Sequence, residues 1–391
     1  MDIYQKSLKF HEELQGKIDI NVKCKLDNKQ DLSLAYTPGV AESCRQIYKN
    51  PDDVYKYTWK NNIVAVISDG TAVLGLGDIG PEAALPVMEG KAALFKKFAD
   101  VNAIPIVLNT KNTDKIISTI KAIAPTFGGI NLEDISAPRC VEIERILIEE
   151  LDIPVFHDDQ HGTAIVVTAA FVNSLKLVKK EPKDIKLVVS GTGAAGSSII
   201  KMLYNFGIKN IYAFNINGIL NKKYNDSYDF LNAEIADITN PDMLDISLAQ
   251  AMEGADAFVG VSAPNVVNKA MVSSMAKNAI VFAMANPEPE ISYDDAVSAG
   301  AVIVGTGRSD YPNQINNVLA FPGLFKGALQ VRARKISEGM KLAAAIGIAK
   351  LAEDEGLSFY SVIPSAFNPK LADVVANEVA KKAVEEGLSR L

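Results

Sequence analysis

The chain has 391 residues, 48% hydrophobic and 22% charged, with a formal net charge of −7; that length suits two cores better than one. The negative balance excludes a nucleic-acid footprint, which needs a basic face, but leaves room for anionic small substrates, because local positive charge or a metal overrides the global field. The N-terminal MDIYQKSLKFHEELQGK is charged throughout, so no signal peptide is expected, and apolar runs such as AIVVTAAFV from Ala164 fall short of the about 20 residues a membrane helix needs.

Along the chain, His11 falls on a charged N-terminal helix and is expected to be exposed. The cysteines Cys24, Cys44 and Cys140 are scattered and without CxxC spacing, which suits a reducing cytoplasm; each reads as a small buried hydrophobe rather than a nucleophile. Strands are expected at Ile63–Ser68 and Ile104–Asn109, with a helix near Glu89–Phe98 between them. GGINLEDI and IPVFHDD close this region, the helical run TAIVVTAAFVNSLKLV follows, and the charged KKEPKD precedes the next strand. From Ile185 the pattern sharpens: KLVVSG, NIYAFN, DAFVGVS, AIVFAMAN and AVIVGTG are near-continuous apolar runs, as in strands buried on both faces of a parallel sheet. The last stretch repeats apolar residues at helical spacing through Leu371, Val374, Val375, Val379, Val384 and Leu388. No tandem repeat appears, and the alternation of strands with helices gives an α/β class.

Gly191-Thr192-Gly193-Ala194-Ala195-Gly196 fits GxGxxG where it follows a strand and opens a helix, the context that makes the pattern a dinucleotide site. Gly191 permits the tight turn, Gly193 the approach of the pyrophosphate, and Gly196 the close packing of helix on strand; the helix N-terminus supplies free N–H groups. The acidic residue that normally binds the ribose hydroxyl is replaced by Asn215, with Asn217 after it. NAD is the cofactor expected, with NADP left open. A second match, Gly75 to Gly80, follows a short run and carries Asp78, which repels phosphate; it reads as a loop lining the active-site cleft.

Two acidic pairs end strand-like runs, Glu133-Asp134 and Asp158-Asp159. Each alone reads either as a solvated turn or as ligands for a hard cation, Mg²⁺ or Mn²⁺. His157 and His161 are spaced i, i+4, but PVFHDD reads as a strand entering a turn, so hydrogen-bonding roles are expected rather than zinc ligation.

Taken together, YTPGVAESCR, SDGTAVLGLGDIG, EGKAALFKKFA, INLEDI, VFHDDQHGTA, GTGAAG, ANPEPE and NNVLAFPG resemble the malic enzyme family in its short bacterial form, over nearly the whole chain. The resemblance implies an N-terminal α/β substrate and metal domain, residues 1–160, and a doubly wound Rossmann-type domain with C-terminal helices, residues 161–391. It implies Tyr36 as general acid, Lys91 as general base, and Glu133, Asp134 and Asp159 as metal ligands, with Asp158 as neighbour. Asn286 is assigned to cofactor and substrate, Asn317 to substrate, and the assembly to a cytoplasmic homodimer. Longer members carry an arginine for a substrate carboxylate where this chain has Ala72, so that carboxylate must find other partners.

The implied chemistry is oxidative decarboxylation of malate to pyruvate and CO₂. Lys91, neutral through burial or a nearby cation, takes the C2 hydroxyl proton as hydride leaves. The cation accepts charge on the ketone oxygen during loss of CO₂, and Tyr36 protonates C3. The rival readings are an oxaloacetate decarboxylase on the same scaffold and a non-catalytic dinucleotide sensor; the intact set of acid, base and ligand residues argues against the sensor.

Overall fold

The computed structural model describes residues 2–73 and 75–391; Leu74, in the TAVL run, lies outside them. Among the described residues ten strands form two sheets. The first holds β1 (Ile63–Ser68), β2 (Asn102–Val107), β3 (Gly129–Leu132) and β4 (Val155–His157) in the order β2-β1-β3-β4, all parallel. Every residue of β1, β3 and β4 is buried, which explains their unbroken apolar runs.

The second sheet holds β5 (Lys186–Ser190), β6 (Asn210–Asn215), β7 (Gly218–Ile219), β8 (Ala257–Gly260), β9 (Ile280–Ala283) and β10 (Ile303–Thr306). Its order is β10-β9-β8-β5-β6-β7, parallel except for the β6–β7 hairpin. After β5 the chain builds outward through β6, then returns to place β8 on the other side. The crevice at the carboxyl ends of β5, β6 and β8 is therefore a topological switch point, where doubly wound sheets bind ligands.

The Asp158–Val178 helix joins the two sheets. It is apolar enough by composition to cross a membrane, yet 72% of its apolar window is buried inside the protein, because helices pack on it from several sides. One continuous core runs from Val64 and Val66 of β1 through this helix to Val189 of β5. The C-terminal helices, which follow the second sheet in sequence, fold back on the first. Phe321 and Phe325, on the Phe321–Gln330 helix, meet Phe95 edge-on with ring centres at 4.7 and 5.4 Å. Phe325 also meets Phe156 of β4 at 5.8 Å.

Two expected boundaries moved. The helix expected near Glu89–Phe98 spans Pro81–Ala99, with Pro81 at its first turn and Pro86 inside; Pro81 lacks only an N–H that has no partner at a helix start, whereas Pro86 forgoes one bond to the Glu82 carbonyl. The helix expected from Thr163 begins at Asp158, so both aspartates sit in its first turn, where the dipole favours negative charge. His11, expected to be exposed, is half-buried; of the three cysteines expected to be buried, only Cys140 is, while Cys24 and Cys44 are exposed.

The N-terminal helices Ile3–Leu14, Lys29–Ala35 and Val40–Lys49 contain no buried residue. They nevertheless present Leu8, Leu34, Tyr36 and Tyr48 to solvent.

Candidate active site

The two acidic pairs converge. β3 delivers Glu133 and Asp134 just beyond its carboxyl end, and β4 delivers Asp158 and Asp159 through the helix that follows. One carboxylate oxygen from each of Glu133, Asp134 and Asp159 lies within 4.8 Å of the other two. Asp134 sits at φ 53°, in the left-handed region that aspartate tolerates better than most residues. Its backbone N–H donates to Asp159 Oδ2 at 2.7 Å, which ties the two strand ends together.

Lys91 closes the cluster from the Pro81–Ala99 helix. Its Nζ lies 2.6 Å from Asp158 Oδ2 and 2.9 Å from Glu133 Oε1, and 4.4 Å from the centre of the Phe321 ring. Burial alone would depress this lysine, but Asp158, Glu133 and Asp159 outweigh it and hold the ammonium above its ordinary range. The expectation of a neutral Lys91 is therefore not met by the chain alone.

Three buried carboxylates, Glu133, Asp134 and Asp158, and the partly exposed Asp159 face that one ammonium. Burial, followed by the charges of Asp159 and Glu133, pushes Asp134 up to about 9. Burial raises Glu133 to about 7 against the pull of Lys91, and raises Asp159 to about 6. Asp134 Oδ2 and Asp158 Oδ1 are buried without a hydrogen-bond partner. Crowded, desolvated carboxylates with unused lone pairs are what a hard divalent cation satisfies, so these residues fit one.

Around the cluster, Gly162 leaves room for a close approach. A methyl group there would fall 1.9 Å from Asp158 Oδ1 and 2.9 Å from Asn317 Cβ, so Asn317 lies against the same helical turn as the aspartates. Asn286 follows β9, its side-chain nitrogen 3.0 Å from where a β-carbon on Gly307 would stand. The Gly75 loop packs beside it, 3.7 Å from Pro287 by the same measure. Asp78 in that loop pairs with Lys111 at 2.5 Å. Arg139 is engaged by Asp69 at 2.7 Å and donates to Thr71, Ser136 and the Lys111 carbonyl; it braces the loop opened by Ala72 and is not free for a ligand.

At the switch point a cleft of about 770 Å³ is lined by Ser190, Gly191, Thr192, Gly193, Asn215 and Ser262, among others. Gly191 takes φ 102°, and a β-carbon on Gly196 would stand 1.9 Å from the Gly191 carbonyl. Gly193 instead faces open space, which leaves backbone accessible where Ala194 and Ala195 open the helix. Thr192 Oγ1 donates to Asn232 at 2.6 Å. Asn215 accepts from the Asn217 N–H at 2.8 Å, a local turn that holds its side chain at the end of β6. No lysine or arginine lines this cleft among the described residues. Ala137 and Pro138 do, so the loop leaving Asp134 joins the acidic cluster to the cleft.

Tyr36 is the exception. It caps the Lys29–Ala35 helix with 67% of its surface exposed, and none of its hydrogen bonds reaches the acidic cluster. Other residues escaped the sequence reading. Glu290, fully buried, accepts from the Ser262 and Ala285 N–H groups at 2.7 and 3.1 Å and so ties the ends of β8 and β9. Glu144 is a second buried carboxylate, and the clue to it was its place at i+4 between Cys140 and Leu147 on an apolar stripe.

Residues 15–148 match the family described as malic enzyme, N-terminal domain, and residues 160–384 match malic enzyme, NAD binding domain. The chain is 54% identical over 391 residues to a bifunctional malic/malolactic enzyme of Bacillus subtilis, covering 100% of this chain and 95% of that one. It is 54% identical to an NAD-dependent malic enzyme of Geobacillus stearothermophilus, over 96% of this chain and 78% of the other. A crystal structure of an NAD-dependent malic enzyme from Thermotoga maritima superposes with a TM-score of 0.93 at 49% identity, covering 97% of this chain and 99% of that one.

Proposed function

The chain belongs to the malic enzyme family, and from that premise we propose how its own residues serve the reaction. The reaction is the oxidation and decarboxylation of malate to pyruvate and CO₂ with reduction of a nicotinamide dinucleotide. The observation that carries the assignment of residues is the convergence of Lys91, Glu133, Asp134, Asp158 and Asp159 in one cluster, from which the chain leads through Ala137 and Pro138 to the lining of the glycine-turn cleft.

Residues 1–160 serve substrate and metal, and residues 161–391 the dinucleotide. Glu133, Asp134 and Asp159 hold Mg²⁺ or Mn²⁺, which when bound polarises the substrate's C2 oxygen as a Lewis acid. Lys91 accepts the hydroxyl proton at Nζ. An ammonium must first shed one, and of the two acceptors within reach Asp158 Oδ2, at 2.6 Å, is nearer than Glu133 Oε1 at 2.9 Å, which also serves the cation. Asn317, against the same turn, would orient the substrate carboxylate, and Asn286 would contact substrate and cofactor. Gly191 to Gly196 receive the pyrophosphate and Asn215 the ribose hydroxyl. The lack of a cation in the lining favours NAD over NADP, whose extra phosphate would find no partner there.

Tyr36 acts as the acid that protonates C3. Its exposure within one chain is met by a homodimer in which the N-terminal arm of each copy reaches the other. Scattered free cysteines suit a cytoplasmic setting.

The test is the absorbance of reduced nicotinamide with malate and Mn²⁺, comparing NAD with NADP. Signal with NAD that EDTA removes is expected. CO₂ release from oxaloacetate without any nucleotide reduction from malate would favour the lyase reading. Lys91→Ala is expected to lower malate oxidation by about 10²–10⁴-fold while leaving dinucleotide binding within twofold by titration; undiminished turnover removes Lys91 from the scheme.

A further inference from the structure

We propose that Glu144 and His161 are positioning residues that fix the metal-bearing turn between the two sheets; this rests on the metal reading above. Glu144 lies on the Arg139–Glu150 helix of the first sheet and is buried. Its Oε1 accepts the backbone N–H of His157 at 2.7 Å, and its Oε2 meets His161 Nε2 at 2.8 Å. These two anchor points bracket Asp158 and Asp159 in sequence. One carboxylate therefore holds the turn that presents both aspartates, from the side away from the cation site.

The His157 N–H is one of the first amides of the Asp158–Val178 helix, and no side chain of its own caps that end. Glu144 supplies the missing acceptor from another helix, at the positive end of the dipole. On the far side, Lys341 Nζ lies 3.2 Å from His161 Nδ1 and Ser198 Oγ lies 3.4 Å from it. An ammonium can only donate, so Nδ1 accepts and Nε2–H donates to Glu144. Lys341 is buried and belongs to the Glu338–Glu355 helix, which packs against the Asp158–Val178 helix and lies in the later half of the chain. The chain Lys341, His161, Glu144 thus crosses from one half of the molecule to the other and sets the rotation of the helix turn where the cation ligands begin. Partners that orient ligands in this way are worth about 10–100-fold in metal affinity.

The experiment is Mn²⁺ binding to the full chain, read from the free-ion paramagnetic resonance signal without substrate or nucleotide, alongside the thermal midpoint and NADH affinity. Glu144→Gln and His161→Ala are each expected to weaken Mn²⁺ binding about 10–100-fold, with NADH affinity within twofold. His161→Gln, whose amide can still donate to Glu144, is expected to recover most of that loss, as a general packing defect would not. Should Glu144→Gln fail to fold, His161→Ala against His161→Gln decides alone. Folded variants with the parent's Mn²⁺ affinity, or a glutamine no better than alanine at 161, would overturn the inference. A parent chain that binds no Mn²⁺ would instead overturn the metal reading.

Discussion

Three glycines in one turn serve different physical ends, and alanine separates them. At Gly196 the added carbon would collide with the Gly191 carbonyl 1.9 Å away. The helix cannot recede without opening its contact with β5, so Gly196→Ala is expected to cost roughly 1–3 kcal/mol and to lower the thermal midpoint. At Gly193 the added carbon enters open space. Gly193→Ala is therefore expected to keep the parent midpoint while weakening NADH binding on the order of tenfold, because the methyl occupies the approach of the pyrophosphate. Equal midpoints for both variants would show that Gly196 does not limit packing. The tight packing at Gly196 and the open space at Gly193 were readable from the sequence, since a glycine pattern between strand and helix fixes its own surroundings. The partnership of Lys91 with Asp158 was not: the two are 67 positions apart, and only the parallel order of β1, β3 and β4 brings them together.

The first turn of the Asp158–Val178 helix is where sequence and structure part most. Its letters, HDDQHG, lack helix formers and follow a strand without a break, so a turn was the natural reading. The helix starts there because its dipole, the Glu144 carboxylate and the cluster opposite hold the amides and aspartates in place. Glu144 also carries a signed prediction in pH. Burial opposes its ionisation, but His161, Lys341 and His157 outweigh that and hold it at about 2, below the ordinary 4.5. A depressed carboxylate stabilises the fold fully above its unfolded value and loses that contribution as pH falls from about 4.5 towards 2. The thermal midpoint of the parent is expected to fall faster over that window than that of Glu144→Gln. Parallel curves would mean that the carboxylate is not linked to folding. Strands fared better than this turn, because runs buried on both faces leave no competing periodicity; β1 lies at the expected residues.

At the scale of the whole molecule, one core spans both sheets, yet residues 2–50 bury nothing in it. The arm carries Leu8 at 73%, Leu34 at 71% and Tyr36 at 67% exposure, large apolar side chains that packing against a partner would bury. The homodimer proposed above would also account for Tyr36, none of whose hydrogen bonds reaches the acidic cluster of its own chain. Mixing the inactive variants Tyr36→Phe and Lys91→Ala tests this directly. If the tyrosine acts on the partner's lysine, a mixed dimer holds one site with both groups intact and one with neither. Random reassembly makes about half of the dimers mixed, so about a quarter of the parent activity is expected to return. If both groups act within one chain, every site in the mixture lacks one of them and no activity returns. Sedimentation of the mixture separates that outcome from a failure to exchange: a dimer that exchanges labelled subunits yet stays inactive would place Tyr36 outside the partner's site, and the arm would then serve association alone.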